Sequence, residues 1–546
     1  MKKENITTTI PNRRPRSLLF IIFSFLFSSI AAQDSLLLRD YHFVQQADPW
    51  LTALNAAALT RFATRNIVEA SASLTKGRGG HVNYYESPNT LQANVSIESY
   101  YRLSPHAVAY GAISYDNWSG EDMTGSAFIQ PTRKPFDIVE DSLTNAGDKH
   151  RDTYHLSGGI GYDIANGISI GARLDYTSAN YAKYKDLRHK NKLMDLVFTL
   201  GAYAPLADWV AVGAHYAYHR NTESLDFGTY GKSEKIYKSL ISYGAMMGRV
   251  EQFGNEGYTD KSREMPLFED SHGASFQLEL CPLQSLRIYG DFGFSHGIGY
   301  YGRRSPYTIT LTNHKRDIVE SQVHVIYQTG TSRFHLDASY ADEKLKNNAE
   351  TYRELTNASG SNYYEYYDAV ETADKRWKDA DMTFTTHLGI RNELPTWSFS
   401  AAYRWREQNI SAYLYPFYRH QLLSSSEVAL SATRNLVCSK GIWTFSLHGS
   451  FLKGTGDPYD DGAFVTPSAK QEQPATMDAF LWREYQYLTA PQYSIGGSVQ
   501  YAFLLPGTRM KTYARLSGSH RKANVTYQYS TGCDRTQLSL AIGCTF

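Results

Sequence analysis

Histidines, acids and bases recur at alternate positions along this 546-residue chain, and these are the side chains that could do chemistry. His155, His215, His324, His335, His387 and His448 fall on the polar side of alternating stretches, where imidazole could ligate a metal or carry a proton. None shows a recurring ligand spacing such as H-x-x-x-H with an acid beside it. Six polar residues are what a large polar face holds without any metal. A hydrolase needs a nucleophile, a base and an orienting group in mutual reach; any Ser, His and Asp could be picked from this face, so none is singled out. The G-R-G-G run from Gly77 to Gly80 reads as a flexible turn rather than a phosphate cradle. Cys281, Cys438, Cys533 and Cys544 are widely spread and contain no C-x-x-C pair. They point to neither a zinc site nor a disulfide framework. The expectation is a chain with no catalytic residues, no metal and no cofactor.

What positions these groups is a two-residue alternation that begins near Asn66 and runs to the last residue. Leu538, Leu540, Ile542, Cys544 and Phe546 share one face of a strand, and Gln537, Ser539, Ala541, Gly543 and Thr545 share the other. The pattern repeats in pairs that turn tightly. Ile168, Ile170, Ala172, Leu174 and Tyr176 follow Tyr154, Leu156, Ile160 and Tyr162, while Trp397, Phe399, Ala401, Tyr403 and Trp405 follow Phe384, Leu388 and Ile390. Tight returns make such strands antiparallel neighbours. About eighteen strands are expected; merging or splitting one doubtful segment gives sixteen or twenty. Turns of two to four residues are expected at one end and connections of ten to fifty at the other, the longest from Asn221 to Asp270. Short turns opposite long loops, with an even strand count, fit a single-chain barrel that crosses a bacterial outer membrane. The fold class is therefore all-β, a transmembrane antiparallel up-and-down β-barrel over residues 65–546.

Such a barrel faces its apolar side chains to lipid and its charges to the lumen. The charges among the alternating segments do fall on the other face. Candidate lumen-lining residues are Glu98, Arg102, Arg173, Asp175, Asp195, Arg287, Asp291, Glu320, His324, Arg404, Arg406 and Arg515. Arg173 with Asp175, Arg287 with Asp291, and Arg404 with Arg406 either line a polar channel and set its selectivity or form ion networks in a filled lumen. Trp209, Trp397, Trp405, Trp443, Tyr162, Tyr176, Tyr218 and Tyr501 sit near strand ends, where an amphipathic ring suits a lipid–water boundary.

Before the first strand stand two other segments. Arg13, Arg14 and Arg16 precede an apolar run from Leu18 to about Ala32, with Ser29 and Ala31 placed for cleavage. Residues 1–32 read as a secretory signal peptide. Removing residues up to Ala31 takes five Lys/Arg and one Glu, leaving 50 basic against 53 acidic residues; a nucleic-acid partner has no electrostatic footprint here. Residues 33–64 contain Trp50, Leu51, Leu54, Ala58, Leu59 and Phe62 at the spacing of one helical face. They read as a short helix that is either a plug or a periplasmic lead-in, with Trp50, Leu54, Asn55, Leu59 and Phe62 as the candidate plug residues.

The closing aromatic strand resembles that of outer-membrane barrels, in which the terminal aromatic belongs to the signal read by the barrel-assembly machinery. The resemblance makes Leu540, Ile542, Cys544 and Phe546 the insertion signal. With Asn55-Ala56-Ala57-Ala58-Leu59, Tyr415-Pro416-Phe417-Tyr418-Arg419 and Gly543-Cys544-Thr545-Phe546, the chain resembles a Bacteroidota outer-membrane β-barrel family of unknown function associated with TonB-dependent receptor loci. More distantly it resembles fatty-acid-transporter-like barrels, which would imply fourteen strands, although Ala56 stands where their proline would be. The resemblance implies an integral outer-membrane protein in nutrient uptake, in contact with outer-membrane lipid and with a TonB-dependent receptor or a surface lipoprotein as partner. A passive channel or uptake accessory is the first expectation. A closed barrel that docks a partner through its loops, rich in Tyr363, Tyr364, Tyr366 and Tyr367, is the second, and an outer-membrane enzyme the remote third.

Overall fold

The computed structural model describes residues 39–546 except 65, 141–145, 166, 231–234, 254–264, 306–307, 509 and 526–528. The expected signal peptide lies outside the described residues. Two-faced strands leave backbone edges that must be paired wherever water is absent. Eighteen long strands meet that demand by closing one antiparallel ring in chain order. They are Ile67–Arg78, Asn89–Ser104, Ala107–Met123, Gly147–Ala165, Ile168–Lys183, Arg188–Ala207, Val210–Gly228, Met265–Leu283, Leu286–Ser305, Thr308–Thr329, Ser332–Ala349, Val370–Leu388, Trp397–Leu414, Phe417–Cys438, Gly441–Gly456, Gln492–Leu504, Lys511–Ala523 and Asp534–Thr545. The last strand pairs with the first, Leu540 opposite Leu74 and Cys544 opposite Ala70. Phe546 exchanges both backbone hydrogen bonds with Val68, at 2.8 and 3.0 Å.

The apolar face of each strand points out of the ring. Leu174, Phe292, Leu430, Leu516 and Leu540 are all exposed, as no soluble core would leave them. On Trp397–Leu414 this face runs from Trp397 to Trp405, about 26 Å along the strand at ~3.3 Å per residue. That is close to the ~25 Å apolar belt of an outer-membrane barrel. The wall continues past the belt: Thr308–Thr329 and Phe417–Cys438 each have 22 residues.

This overlength corrects the expected sorting of connections. One end, which also holds Arg39 and Phe546 and is called here the turn end, carries the tight returns, but Leu388 to Trp397 and Leu504 to Lys511 are longer than four residues. At the other, loop end, Lys183 to Arg188, Ser305 to Thr308 and Leu414 to Phe417 are short. Polar strand extensions consume what the sequence pattern shows as loop. The expected Asn221–Asp270 loop shrinks in this way, because one strand runs to Gly228 and the next begins at Met265. Described loop residues form smaller elements. Asp137–Glu140, Tyr237–Gly244, Met247–Phe253 and Ala475–Thr476 make a four-stranded sheet, Tyr352–Thr356 pairs with Asn362–Tyr366, and Asp478–Thr489 is a helix.

Residues 39–64 form not one helix but three short turns, Tyr41–Gln45, Pro49–Thr52 and the 3-10 turn Ala56–Arg61. Asp40, Asp48 and Asn55 each accept a backbone N–H at a turn's start, and the extended Ala53 breaks the helix that the apolar spacing predicts.

Candidate functional site: the lumen, its floor and its roof

The N-terminal turns lie inside the barrel at the turn end and form a floor. Asn55 is fully buried; its amide donates to Gln277 Oε1 at 2.8 Å and to the Ala202 carbonyl at 2.9 Å. Trp50 Nε1 donates to Glu279 at 2.8 Å, and its ring meets Tyr203 and Tyr289 edge-on. Arg61 binds Tyr203 at 2.6 Å and Glu279 at 3.0 Å. Leu59 and Phe62 are buried against Ile67, Tyr100 and Val108, whereas Leu54 is exposed to the lumen above. The wall makes room with glycine. Gly161, Gly171 and Gly201 stand in one register row on three adjacent strands. A Cβ at Gly171 would lie 2.2 Å from the Ala57 nitrogen, and one at Gly161 2.5 Å from the Ala56 oxygen.

The long turn between Leu388 and Trp397 completes the floor. Its Leu394 packs on the inward Ile442, Ala502 and Tyr513, and Asn435 donates to the Pro395 carbonyl at 2.8 Å. The two floor pieces are joined by Arg39 and Glu393 at 2.6 Å.

At the loop end a roof folds over the lumen. Phe128, Phe136, Ile138, Tyr243 and Met247 pack on inward wall residues Leu225, Tyr301, Ala373 and Ala412. Arg133 reaches Glu343 at 2.9 Å and also meets Asp379, while Lys134 reaches Glu223 at 2.8 Å. Arg419 of the Tyr-Pro-Phe-Tyr-Arg stretch is buried and inward, bidentate to Asp461 at 2.6 and 2.7 Å. It also donates to the Ala245 carbonyl of the roof at 3.0 Å.

Between floor and roof lies a cavity of about 950 Å³, bounded below by Thr52, Ala53 and Leu54 and above by Thr132, Arg133 and Lys134. Of the expected lumen residues, Asp195, Asp291 and Glu320 line it. Asp195 is bound by His219 at 2.9 Å. Others hold the floor: Arg102 donates to the Thr60 carbonyl, and Glu98 accepts from Gln45. Arg173 pairs with Asp175 at 2.8 Å. Arg287 and Asp291 do not bond each other. Arg287 turns to Asp48 of the floor at 3.2 Å, while Asp291 takes Gln277 at 2.9 Å. Arg404 bonds Glu427 and Asp381, Arg406 lies 3.5 Å from Asp379, and Arg515 donates to Gln500. His324 meets Asp337 at 2.6 Å, and His155 and His387 meet Thr177 and Ser398. Gln277, Glu279, Tyr203, Arg133 and Lys134 had no distinguishing sequence signal. The glycine row did have one, since hairpin register aligns inward glycines.

Above the apolar belt, Glu269 anchors the roof network. Burial opposes its ionisation, but a hydrogen bond from His314 and Arg316 beside it, both at 3.0 Å, prevail and hold its carboxyl down at about 2. A carboxyl depressed in the folded state adds stability above its ordinary value of 4.5 and loses it as pH falls through about 2. The difference is worth about 3 kcal/mol. The roof should therefore loosen between pH 4.5 and about 2, read as protease cleavage within residues 124–140. Glu269→Gln should loosen it already at neutral pH and flatten that dependence.

A model of the family of unknown function DUF6850 matches residues 56–546. The chain belongs to that family. No curated protein matches this DUF6850 member. Among solved structures, the outer membrane transporter YddB from Escherichia coli is similar at 8% identity and a TM-score of 0.41, covering 88% of this chain and 81% of that one. The ferric preacinetobactin receptor BauA from Acinetobacter baumannii is similar at 8% identity and 0.37, covering 89% and 80%. The RagAB peptide transporter gives 10% and 0.39, covering 88% and 74%. Scores this low assign the DUF6850 chain no function.

Proposed function

We propose that this protein is an integral bacterial outer-membrane barrel that admits small polar solutes through a lumen gated at both ends. In this reading the floor faces the periplasm, the roof faces the cell exterior, and Phe546 lies in the strand read by the barrel-assembly machinery. The observation that carries it is the 950 Å³ chamber between floor and roof. A barrel filled only for rigidity would pack that volume with side chains. The proposal includes no enzymatic step.

The chamber's charges give it a preference. Its cations are engaged: Arg133, Lys134 and Arg316 with Glu343, Glu223 and Glu269, and Arg151 with Asp116 at 3.7 Å. Asp291 and Glu320 line it with no ion pair among the described residues. Cations and amine-bearing solutes should be favoured. The test is conductance in planar bilayers. The full chain should conduct little, and a variant with its floor and its roof both released should form a steady cation-selective pore, shown by the reversal potential in a salt gradient. Silence from both would overturn the channel reading.

A second reading, a barrel that docks a receptor or surface lipoprotein, draws on exposed rings at the loop end: Tyr230, Tyr415 and Phe464. Silent bilayers together with a partner copurifying from native membranes would favour it.

A further inference from the structure

We infer that outward-facing lysines on two neighbouring strands, just above the apolar belt, bind the phosphate group of an outer-leaflet lipid; this rests on the membrane reading above. On Thr308–Thr329, Ser332–Ala349 and Val370–Leu388 the outward face is uncharged as far as Val319, Tyr340 and Ala380. It becomes charged at the next outward positions, Asp317, Asp342 and Lys378. At this level the inward side is closed, with Glu343, Leu345 and Asn347 buried, so the charges face outward at the height where a bilayer places its headgroups.

Register then brings like charges together. Lys344 stands opposite Arg376, and Lys315 opposite Lys346. Directly opposed like charges destabilise a sheet, and the patch opposes only cations in this way. Its acids are taken: Asp342 by Arg376 at 2.8 Å, Asp374 by Lys346 at 3.1 Å, Glu407 by Lys378 at 2.8 Å. Asp317 faces Lys344 across the register but binds His296, at 2.6 Å. Lys315 and Lys344 have no carboxylate within ion-pairing distance among the described residues. They are diagonal neighbours on adjacent strands, about 7–8 Å apart. Two flexible lysine stems from that spacing can close on one phosphate, their methylenes lying over the apolar surface below.

The test uses the full chain purified in detergent and native mass spectrometry. One probe is a glucosamine-disaccharide lipid carrying phosphates, another the same lipid without them, and a third inorganic phosphate. The wild type should retain the phosphorylated lipid, and Lys315→Gln/Lys344→Gln should retain about tenfold less. Lys453→Gln/Lys522→Gln, outward lysines elsewhere on the ring, should retain as much as the wild type. Equal retention of the phosphate-free lipid, or by the Lys315/Lys344 variant, overturns the site. Displacement by equimolar inorganic phosphate makes it a site for the free anion and overturns the lipid assignment. A chain that stays in solution without detergent instead overturns the membrane reading itself.

Discussion

With the roof loosened by Glu269→Gln, Gly171→Val should turn a barrel of low conductance into an open pore without preventing its assembly. The added Cβ would lie 2.2 Å from the Ala57 nitrogen and 2.4 Å from the Ala56 carbonyl carbon. Both are backbone atoms, so no rotamer change relieves the clash. The wall cannot yield easily either, because Gly171 is paired on both sides, with Gly161 and with Gly201. What can move is the floor, held by side chains such as Asn55, Trp50 and Arg61. Overpacking costs about 1–3 kcal/mol where side chains can adjust. A clash with backbone belongs at the upper end of that range, enough to raise the open-to-closed ratio about a hundredfold. Gly158→Val is the control: nothing lies within 4 Å of its added Cβ, and its conductance should stay at the wild-type level. An unchanged trace from Gly171→Val in that background would mean that the N-terminal segment does not control passage.

The second large effect concerns assembly. Leu540 and Leu174 are outward and exposed, and an Arg or Lys at bilayer mid-depth costs about 2–4 kcal/mol. Leu540→Arg and Leu174→Arg should each reduce the folded, heat-sensitive gel band about tenfold or more. Ser539→Arg should leave most of it, because Ser539 faces the lumen, where it accepts from Thr75 at 2.9 Å. Equal assembly of all three would mean that the outward faces do not meet hydrocarbon.

The wall was legible in the sequence because each belt strand carries several unbroken cycles of a two-residue period, and a slip of one residue would turn Leu538, Leu540 and Ile542 inward. Strand length was not, since past the belt both faces are polar and alternation leaves no trace. That is why Asn221 to Gly228 read as loop. The floor was half legible. Trp50, Asn55, Leu59 and Phe62 are buried and Leu54 is exposed, and helical spacing hid the break at Ala53. The roof was illegible because its anchors, Arg133 on Glu343 and Arg419 on Asp461, join residues far apart in the chain with no local periodicity. Arg287 shows the same limit: neighbours in sequence offered Asp291, and the folded floor supplied Asp48.

The most direct test places spin labels one at a time on positions 536–545 of protein reconstituted in liposomes and compares their accessibility to oxygen and to a water-soluble nickel chelate. The even positions, Leu538, Leu540 and Ile542 among them, should be reached by oxygen from the lipid and shielded from the chelate, and the odd ones, such as Ser539 and Ala541, should be reached far less by oxygen. Labels at even positions reached by neither reagent would show those side chains packed inside protein and would contradict the barrel's orientation.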